Sequence, residues 1–300
     1  MLNSIKLDNN LTLSRLVYGV WRLGDDSDTS VANVTAKIDA CLTQGISSFD
    51  HADIYGDYQC EAIFGKALGQ NPQLRQQMQL ISKCNIALTS DHFPNRRVKH
   101  YDTSAQYITN SVEQSLTNLH TDHLDLLMMH RPDPFMDAAA TGAALDSLVD
   151  SGKVRAIGVS NFSASDWRLL QKHMHHNLQV NQIEISLLQA QSFTDGTLVD
   201  MQLDNIQPMA WSPLAGGALF SNSDAATRIK PLFKSLCERY DCSPDHIAVA
   251  WLLAHPANII PVLGTNNLQR IALLSKACDI ELDRETWFEL YSAAQGSEVP

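Results

Sequence analysis

Short runs of branched apolar residues alternate with longer segments of helical period along this chain, and the alternation repeats eight times. The apolar runs are SRLVYGVW (14–21), GISSFDHA (45–52), MQLISKCNI (78–86), HLDLLMMHR (123–131), VRAIGVSNF (154–162), QVNQIEIS (179–186), IQPMAWSPL (206–214) and NIIPVLG (258–264). Helical segments are predicted near 31–44, 59–69, 104–119, 136–151, 164–176, 196–204, 228–255 and 267–277. Eight strand–helix repeats predict an α/β fold of the closed (β/α)8 TIM barrel type. A doubly wound sheet usually has fewer strands and binds nucleotides through a Gly-rich first turn. Neither GxGxxG nor GxxxxGK[ST] occurs. The opening IKLDNNLTLS reads as an N-terminal β-hairpin turning at Asp8, Asn9 and Asn10, a plug for the barrel bottom. The tail LDRETWFELYSAAQG (282–296) reads as an extra C-terminal helix capped by Gly296. No linker or compositional break divides residues 1–300, so a single barrel domain is expected.

Composition narrows the function. With 44% hydrophobic and 18% charged residues the 300-residue chain has the make-up of a folded protein. Its 22 basic and 33 acidic residues leave a net charge of -11, which argues against nucleic acid or an anionic membrane as partner. The N-terminus MLNSIKLDNN has no apolar leader region, and no stretch reaches the ~18 uninterrupted apolar residues of a membrane span. Six scattered cysteines (Cys41, Cys60, Cys84, Cys237, Cys242, Cys278) without a CxxC pair read as reduced thiols of a cytoplasmic protein. No interface is readable, so a monomer is expected.

In a barrel, chemistry collects where strands end and the following loops begin. The residues at those positions are Asp50, His51, Asp53 and Tyr55 after the second strand, Lys83 on the third and His130 ending the fourth. Ser160 and Asn161 follow on the fifth, Gln182 and Glu184 on the sixth, Trp211 and Ser212 on the seventh, and Gly264, Thr265 and Asn266 on the eighth. A lysine inside an apolar rim needs a carboxylate, and Asp50 on the adjoining strand is the natural partner of Lys83. The ammonium stabilises a phenolate over a phenol, so the Tyr55 pKa is expected to fall toward neutrality. His130 adds a hydrogen bond from a third side. Such a group suits proton delivery to a carbonyl oxygen as hydride reaches carbon. Glu184 is expected to be paired within the barrel or at its rim.

These residues resemble the aldo-keto reductase family along essentially the whole chain. FDHADIYG, ISKCNI and LMMHRPD look like its three active-site segments, in the family's order. The resemblance implies an NADP(H)-dependent oxidoreductase that interconverts small-molecule aldehydes or ketones and alcohols. It implies a catalytic tetrad of Asp50, Tyr55, Lys83 and His130, with Tyr55 as general acid/base. GKVRAIGVSNF is similar to the family's strand-five signature, which implies that Ser160, Asn161 and Gln182 hydrogen-bond the nicotinamide carboxamide. MAWSPLAGG looks like its strand-seven segment, which implies that the nicotinamide stacks on Trp211.

Beside the resemblance, the turn Ser212, Pro213, Leu214, Ala215, Gly216 and Gly217 lets backbone approach a pyrophosphate closely. Gly264, Thr265 and Asn266 open the last helix, and Arg270, about one turn inside it, is placed to clamp a 2′-phosphate. The family is often basic at the position aligned with Gly264, so one phosphate partner is missing here. Gly19, Val20 and Trp21 follow the first strand at the pocket mouth and are expected to contact the cofactor, with Trp21 read either as a substrate-contacting wall or as a core residue. The segment 85–102 carries His92, Phe93, Arg96, Arg97, His100 and Tyr101, read either as a cover over the site or as ordinary surface.

Other chemistries are weaker. His173, His175 and His176 on a helix spread over more than one face and lack HExxH, so a solvated helix end is preferred and no metal is expected. DHAD (50–53) suits a metal-dependent barrel hydrolase only if further strand ends supply ligands. GVSNF lacks the second glycine of a nucleophile elbow. A nicotinamide-binding redox sensor with little turnover is the alternative outside catalysis.

Overall fold

The computed structural model describes residues 4–7 and 11–300. Its strands, in chain order, are β1 (Ser4–Lys6), β2 (Thr12–Ser14), β3 (Val17–Gly19), β4 (Ser48–Asp50), β5 (Gln79–Cys84), β6 (Ile86–Ala87), β7 (His100–Tyr101), β8 (Leu124–Met129), β9 (Val154–Ser160), β10 (Leu178–Glu184), β11 (Gln207–Trp211) and β12 (Ile260–Leu263). The helices are α1 (Val31–Thr43), α2 (Cys60–Gln70), α3 (Ala105–Asn118), α4 (Ala138–Asp150), α5 (Ala164–Gln171), α6 (Thr197–Leu203), α7 (Asp224–Tyr240), α8 (Pro244–Leu253), α9 (Leu268–Ile271) and α10 (Arg284–Gln295). Eight strands close a parallel barrel in the order β3-β4-β5-β8-β9-β10-β11-β12, with β12 pairing back onto β3. Each predicted apolar run overlaps one of them.

The two-residue period of a strand explains where the site lies. Alternate residues point into the barrel, and the early ones are apolar: Val17, Ile81, Leu126, Met128, Ala156, Val180, Met209, Ile260 and Val262 form one buried cluster. Two residues further on, the same inward rows reach Gly19, Lys83, His130, Gln182 and Trp211, and Asp50 joins them two residues beyond Ser48. Residues of the other parity, such as Phe49, Leu80 and Leu127, belong to a second core between barrel and helices. At Gly158 a Cβ would come within 2.4 Å of Val180 Cγ2, so only glycine lets β9 and β10 pack there.

The bottom is plugged as expected. Strands β1 and β2 pair antiparallel, and Leu11 and Leu13, with Ile5 and Leu7 against them, cap the inner apolar cluster. The turn assigned to Asp8, Asn9 and Asn10 lies outside the described residues. The tail helix α10 is capped by Gly296 at φ 81°.

Three helices differ from the sequence reading. The segment 228–255 is two helices, because Asp241 takes φ 48° and Ser243 and Pro244 start α8 anew. The segment 164–176 stops at Gln171, so His173, His175 and His176 lie in the connection to β10 rather than on a helix. The segment 267–277 is the single turn α9 followed by a 3-10 stretch, Leu274–Asp279. Among the described residues, no helix is long and apolar enough to cross a membrane.

Candidate active site

Strands β4 and β5 are neighbours in register, with Asp50 opposite Ile81, and Lys83 lies one inward step beyond Ile81. Its Nζ donates to Asp50 Oδ1 (2.8 Å) and Oδ2 (2.7 Å), to His51 O (2.9 Å) and to Tyr55 Oη (3.1 Å). The ammonium is 1% exposed, so this set of acceptors replaces the whole of its hydration. A further partner reaches Asp50 from across the barrel: Gln182 Nε2 donates to Asp50 Oδ1 at 2.9 Å. Tyr55, on the loop after β4, is half-buried, with the Lys83 ammonium 5.0 Å from its ring centroid. His130 stands edge-on to the same ring at 5.9 Å, and its buried Nδ1 has no hydrogen-bond partner. The four predicted catalytic residues therefore meet at one strand-end layer.

Burial works against the Lys83 charge, yet Asp50 and Tyr55 outweigh it and hold the ammonium above the ordinary lysine value. The Tyr55 phenol corrects the sequence expectation. Burial raises it above the ordinary tyrosine value, and the opposing pull of Lys83 is too small to reverse the sign. Tyr55 is thus a protonated phenol at neutral pH. Burial, reinforced by the charges of Lys83, Arg131 and Lys99, keeps His130 well below the ordinary histidine value, so the imidazole is neutral.

The DHAD segment divides between the two faces of the sheet. Asp50 faces the barrel interior, whereas His51 turns to the helix side, edge-on to Phe64 at 4.6 Å, and burial lowers its pKa to about 3. Asp53 Oδ1 has no partner, and burial together with the nearby Glu61 carboxyl pushes Asp53 well above the usual carboxylate range. Glu61 on α2, which sequence reasoning did not single out, accepts from Ser82 Oγ at 2.6 Å and is itself raised by burial. The ligand convergence that a metal hydrolase needs is absent from this rim among the described residues. Glu184 ends β10 half-buried and, against expectation, has no ion-pair partner among the described residues.

Beside the tetrad, Ser160, Asn161, Gln182 and Trp211 form one connected layer. Trp211 Nε1 donates to Asn161 Oδ1 (2.9 Å), Asn161 Nδ2 to Ser160 Oγ (2.8 Å) and Ser160 Oγ to Gln182 O (2.8 Å). One Gln182 Nε2 hydrogen is engaged by Asp50, which leaves the side-chain Oε1 and the second amide hydrogen to meet a ligand. Trp211 is half-buried, with the Arg131 guanidinium 5.9 Å from its ring centroid.

The loops after β11 and β12 fit a phosphate-bearing ligand. Ser212, Ala215, Gly216 and Gly217 take φ of 48°, 50°, 64° and 100°, so the turn presents backbone without a regular ladder. A Cβ on Gly216 or Gly217 would meet nothing within 4 Å, so the two glycines border open space that a ligand can enter. Pro213 and Leu214 carry the chain from β11 into this turn. Gly264 has a different reason to be glycine: a Cβ there would lie 3.0 Å from Gly19 O. Thr265 O accepts from Tyr18 Oη (2.7 Å), and Asn266 Nδ2 donates to Arg22 O (2.6 Å). Arg22, missed by sequence reasoning, reaches over the glycine turn, with Nη2 3.4 Å from Gly216 O. Arg270 is exposed on α9, and its guanidinium has no hydrogen-bond or ion-pair partner among the described residues. Val20 is buried behind Gly19, and Trp21 is 59% exposed at the mouth.

The 85–102 segment is pinned against the Tyr55 loop. Arg96 stacks on Phe93 at 3.6 Å and donates to Tyr58 Oη at 2.7 Å, and Tyr58 meets Phe93 edge-on at 4.8 Å.

A sequence model of the Aldo/keto reductase family matches residues 15–295. The chain is 52% identical to a 6-dehydroglucose reductase of Agrobacterium fabrum, over 98% of this chain and 99% of that one. It is 43% identical to an uncharacterized oxidoreductase of Bacillus subtilis, over 99% of each. It is 34% identical to a 6-dehydroglucose reductase of Novosphingobium aromaticivorans, over 97% and 95% respectively. The crystal structure of a thermostable aldo-keto reductase in complex with the inhibitor epalrestat superposes with a TM-score of 0.82, covering 97% of this chain and 100% of that one. At 23% identity that likeness concerns the fold.

Proposed function

Because the chain belongs to the aldo/keto reductase family and is a carbonyl-reducing oxidoreductase, we propose that it uses NADPH to reduce the aldehyde of an oxidised sugar, such as 6-dehydroglucose, with Tyr55 as proton donor. The observation that carries this reading is the Tyr55 hydroxyl 3.1 Å from an ammonium that is itself held by Asp50, on the layer that His130 shares. The substrate class rests on the two relatives named 6-dehydroglucose reductase. The cofactor rests on the glycine turn at 216–217, the exposed Arg270 and the half-buried Trp211.

When bound, the dinucleotide supplies hydride to the carbonyl carbon. Tyr55 Oη accepts a hydrogen bond from Lys83, so its own O–H points away from the ammonium, toward a carbonyl oxygen in the pocket. As that oxygen gains negative charge it takes the Tyr55 proton, and the phenolate left behind faces the Lys83 cation. Asp50, braced by Gln182, keeps the cation in place. Neutral His130 donates one hydrogen bond and orients the carbonyl without competing as the acid. Ser160, Asn161 and the Gln182 carbonyl oxygen hold a carboxamide, Trp211 offers a ring face, and Ser212 to Gly217 with Arg270 take the phosphates. The proposal extends to one barrel acting as a monomer in the cytoplasm, in keeping with six free cysteines.

Steady-state NADPH oxidation with the 6-aldehyde of glucose, set against simple aliphatic and aromatic aldehydes, tests the reading. The expected result is multiple turnover with the highest kcat/KM for the sugar aldehyde. NADPH binding without turnover on any carbonyl identifies a redox sensor instead, and preference for a simple aldehyde removes the sugar assignment.

A further inference from the structure

We propose that Asp146, His175 and His176 bind a divalent transition-metal ion of the zinc class at the end of the barrel opposite the carbonyl-reducing layer. Asp146 lies near the C-terminal end of α4, and the two histidines lie in the connection from α5 to β10, where helices return to the starts of strands. One ring nitrogen of each histidine and a carboxylate oxygen of Asp146 all lie within 4.8 Å of one another. The rings themselves are adjacent, with centroids 4.4 Å apart.

Two features distinguish this group from a chance meeting of polar side chains. The loop is wrapped around the Asp146 carboxylate, which is 5% exposed: His175 N donates to Oδ2 at 2.9 Å and His176 N to Oδ1 at 3.1 Å. The same loop turns the imidazoles toward two carboxylates. His175 Nδ1 is 2.8 Å from Asp146 Oδ2 while its Nε2 is 3.5 Å from Asp150, and His176 Nε2 is 2.8 Å from Asp150 Oδ1. Ring nitrogens and carboxylate oxygens of three side chains thus face one another around one point, held there by the backbone of the loop. A metal ion can take the place of a proton between His175 Nδ1 and Asp146 Oδ2, which lie 2.8 Å apart. Asp150 then accepts from His175 Nε2 and leaves its Nδ1 to ligate, the outer-carboxylate arrangement common to metal-bound histidines, while His176 supplies a ring nitrogen.

The charge balance agrees. Asp150 is the last residue of α4, at the negative end of its dipole, where a carboxylate is disfavoured unless a cation is near. Two imidazoles and a carboxylate suit zinc, nickel or copper rather than magnesium or calcium. Ligand atoms on a tetrahedral zinc are about 3.3 Å apart, so closing the site takes side-chain shifts of about 1 Å, most of them on exposed His175 and half-exposed His176. Three protein ligands leave a position for water, and the bound ion ties α4 to the α5–β10 connection.

Calorimetric titration of Zn2+ into untagged, chelator-treated full-length protein, with Tm recorded in parallel, tests the proposal. The expected result is one saturable site per chain and an upward Tm shift, with excess Mg2+ unable to compete. The double variant His175→Gln, His176→Gln is expected to lose at least tenfold in affinity and all of the Tm shift, while carbonyl reduction without zinc is unchanged. Asp150→Asn is expected to weaken binding by a smaller factor. The proposal is overturned by an absence of saturable binding, or by a double variant that binds zinc as the wild type does, which would move the ion to the thiols.

Discussion

At the N-terminal end of the barrel, Leu11 and Leu13 of the hairpin segment cover an inward layer made of Val17, Ile81, Leu126, Val180 and Ile260. At the other end, the same rows of the sheet carry Asp50, Lys83, His130, Ser160, Gln182 and Trp211. The first layer is closed by removing apolar area from water and needs no partner-by-partner matching. The second holds a lysine at 1% exposure and depends on partner-by-partner matching around it: Lys83 finds four oxygens, and Asp50 is met from both β5 and β10. Small errors are therefore tolerated at the bottom and amplified at the top, the end to which the proposed chemistry is assigned.

The sharpest way to break this contrast is Lys83→Met. It removes the cation that offsets the phenolate and leaves Asp50 buried with an uncompensated charge. Turnover is expected to fall by a factor on the order of 10²–10⁴, and Tm to fall with it. Adding Asp50→Asn is expected to restore Tm but not turnover, as thermal melts and steady-state rates on both proteins will show. A comparable rate in the single variant would mean that the polar layer is only structural.

Leu13→Ala probes the opposite end. The side chain is fully buried, and its loss is expected to cost about 2–5 kcal/mol in urea unfolding. The rate per folded molecule should be unchanged, because the cavity lies below the reacting layer. Next in size, Arg270→Ala is expected to weaken NADPH binding roughly tenfold or more, with NADH nearly unaffected, as fluorescence titration can read. Equal losses for both cofactors would take Arg270 away from the 2′-phosphate.

The smallest effect at neutral pH is one that grows only as the solution is acidified. Burial lowers the folded-state pKa of His51 to about 3, so its stabilising contribution is complete above the unfolded histidine value and is lost as pH falls from ~6.5 toward the folded value. His51→Gln is expected to flatten the decline of Tm between neutral pH and ~4, as melts across that range will show.

Much of the architecture was legible because it depends on local repetition. A run such as MQLISKCNI marks its own strand, and the parity that sends Ile81 and Lys83 inward came with the closed barrel. The tetrad was legible for the same reason, since Asp50, Tyr55, Lys83 and His130 sit at strand ends that the runs locate. Features that depend on distant partners were not. The Gln182 to Asp50 bond joins residues 132 apart in sequence, and Arg22 meets Gly216 only after the barrel closes. The sign of the Tyr55 shift was misread because Lys83 is visible in a string of residues whereas the degree of burial is not. His175 and His176 were assigned to a helix that ends at Gln171, and their convergence on Asp146 follows from the loop. The break between α7 and α8 had a signal in Ser243 and Pro244, outweighed by the apolar run after it.

In the proposed reaction Tyr55 supplies the proton while the rest of the layer binds and positions. Tyr55→Phe keeps the ring and removes one oxygen, so its NADPH affinity and its rate of carbonyl reduction, measured on the same preparation, test that claim directly. Wild-type affinity is expected, with a rate lowered by a factor on the order of 10²–10⁴. A Phe variant that binds NADPH and reduces the sugar aldehyde at the wild-type rate contradicts it.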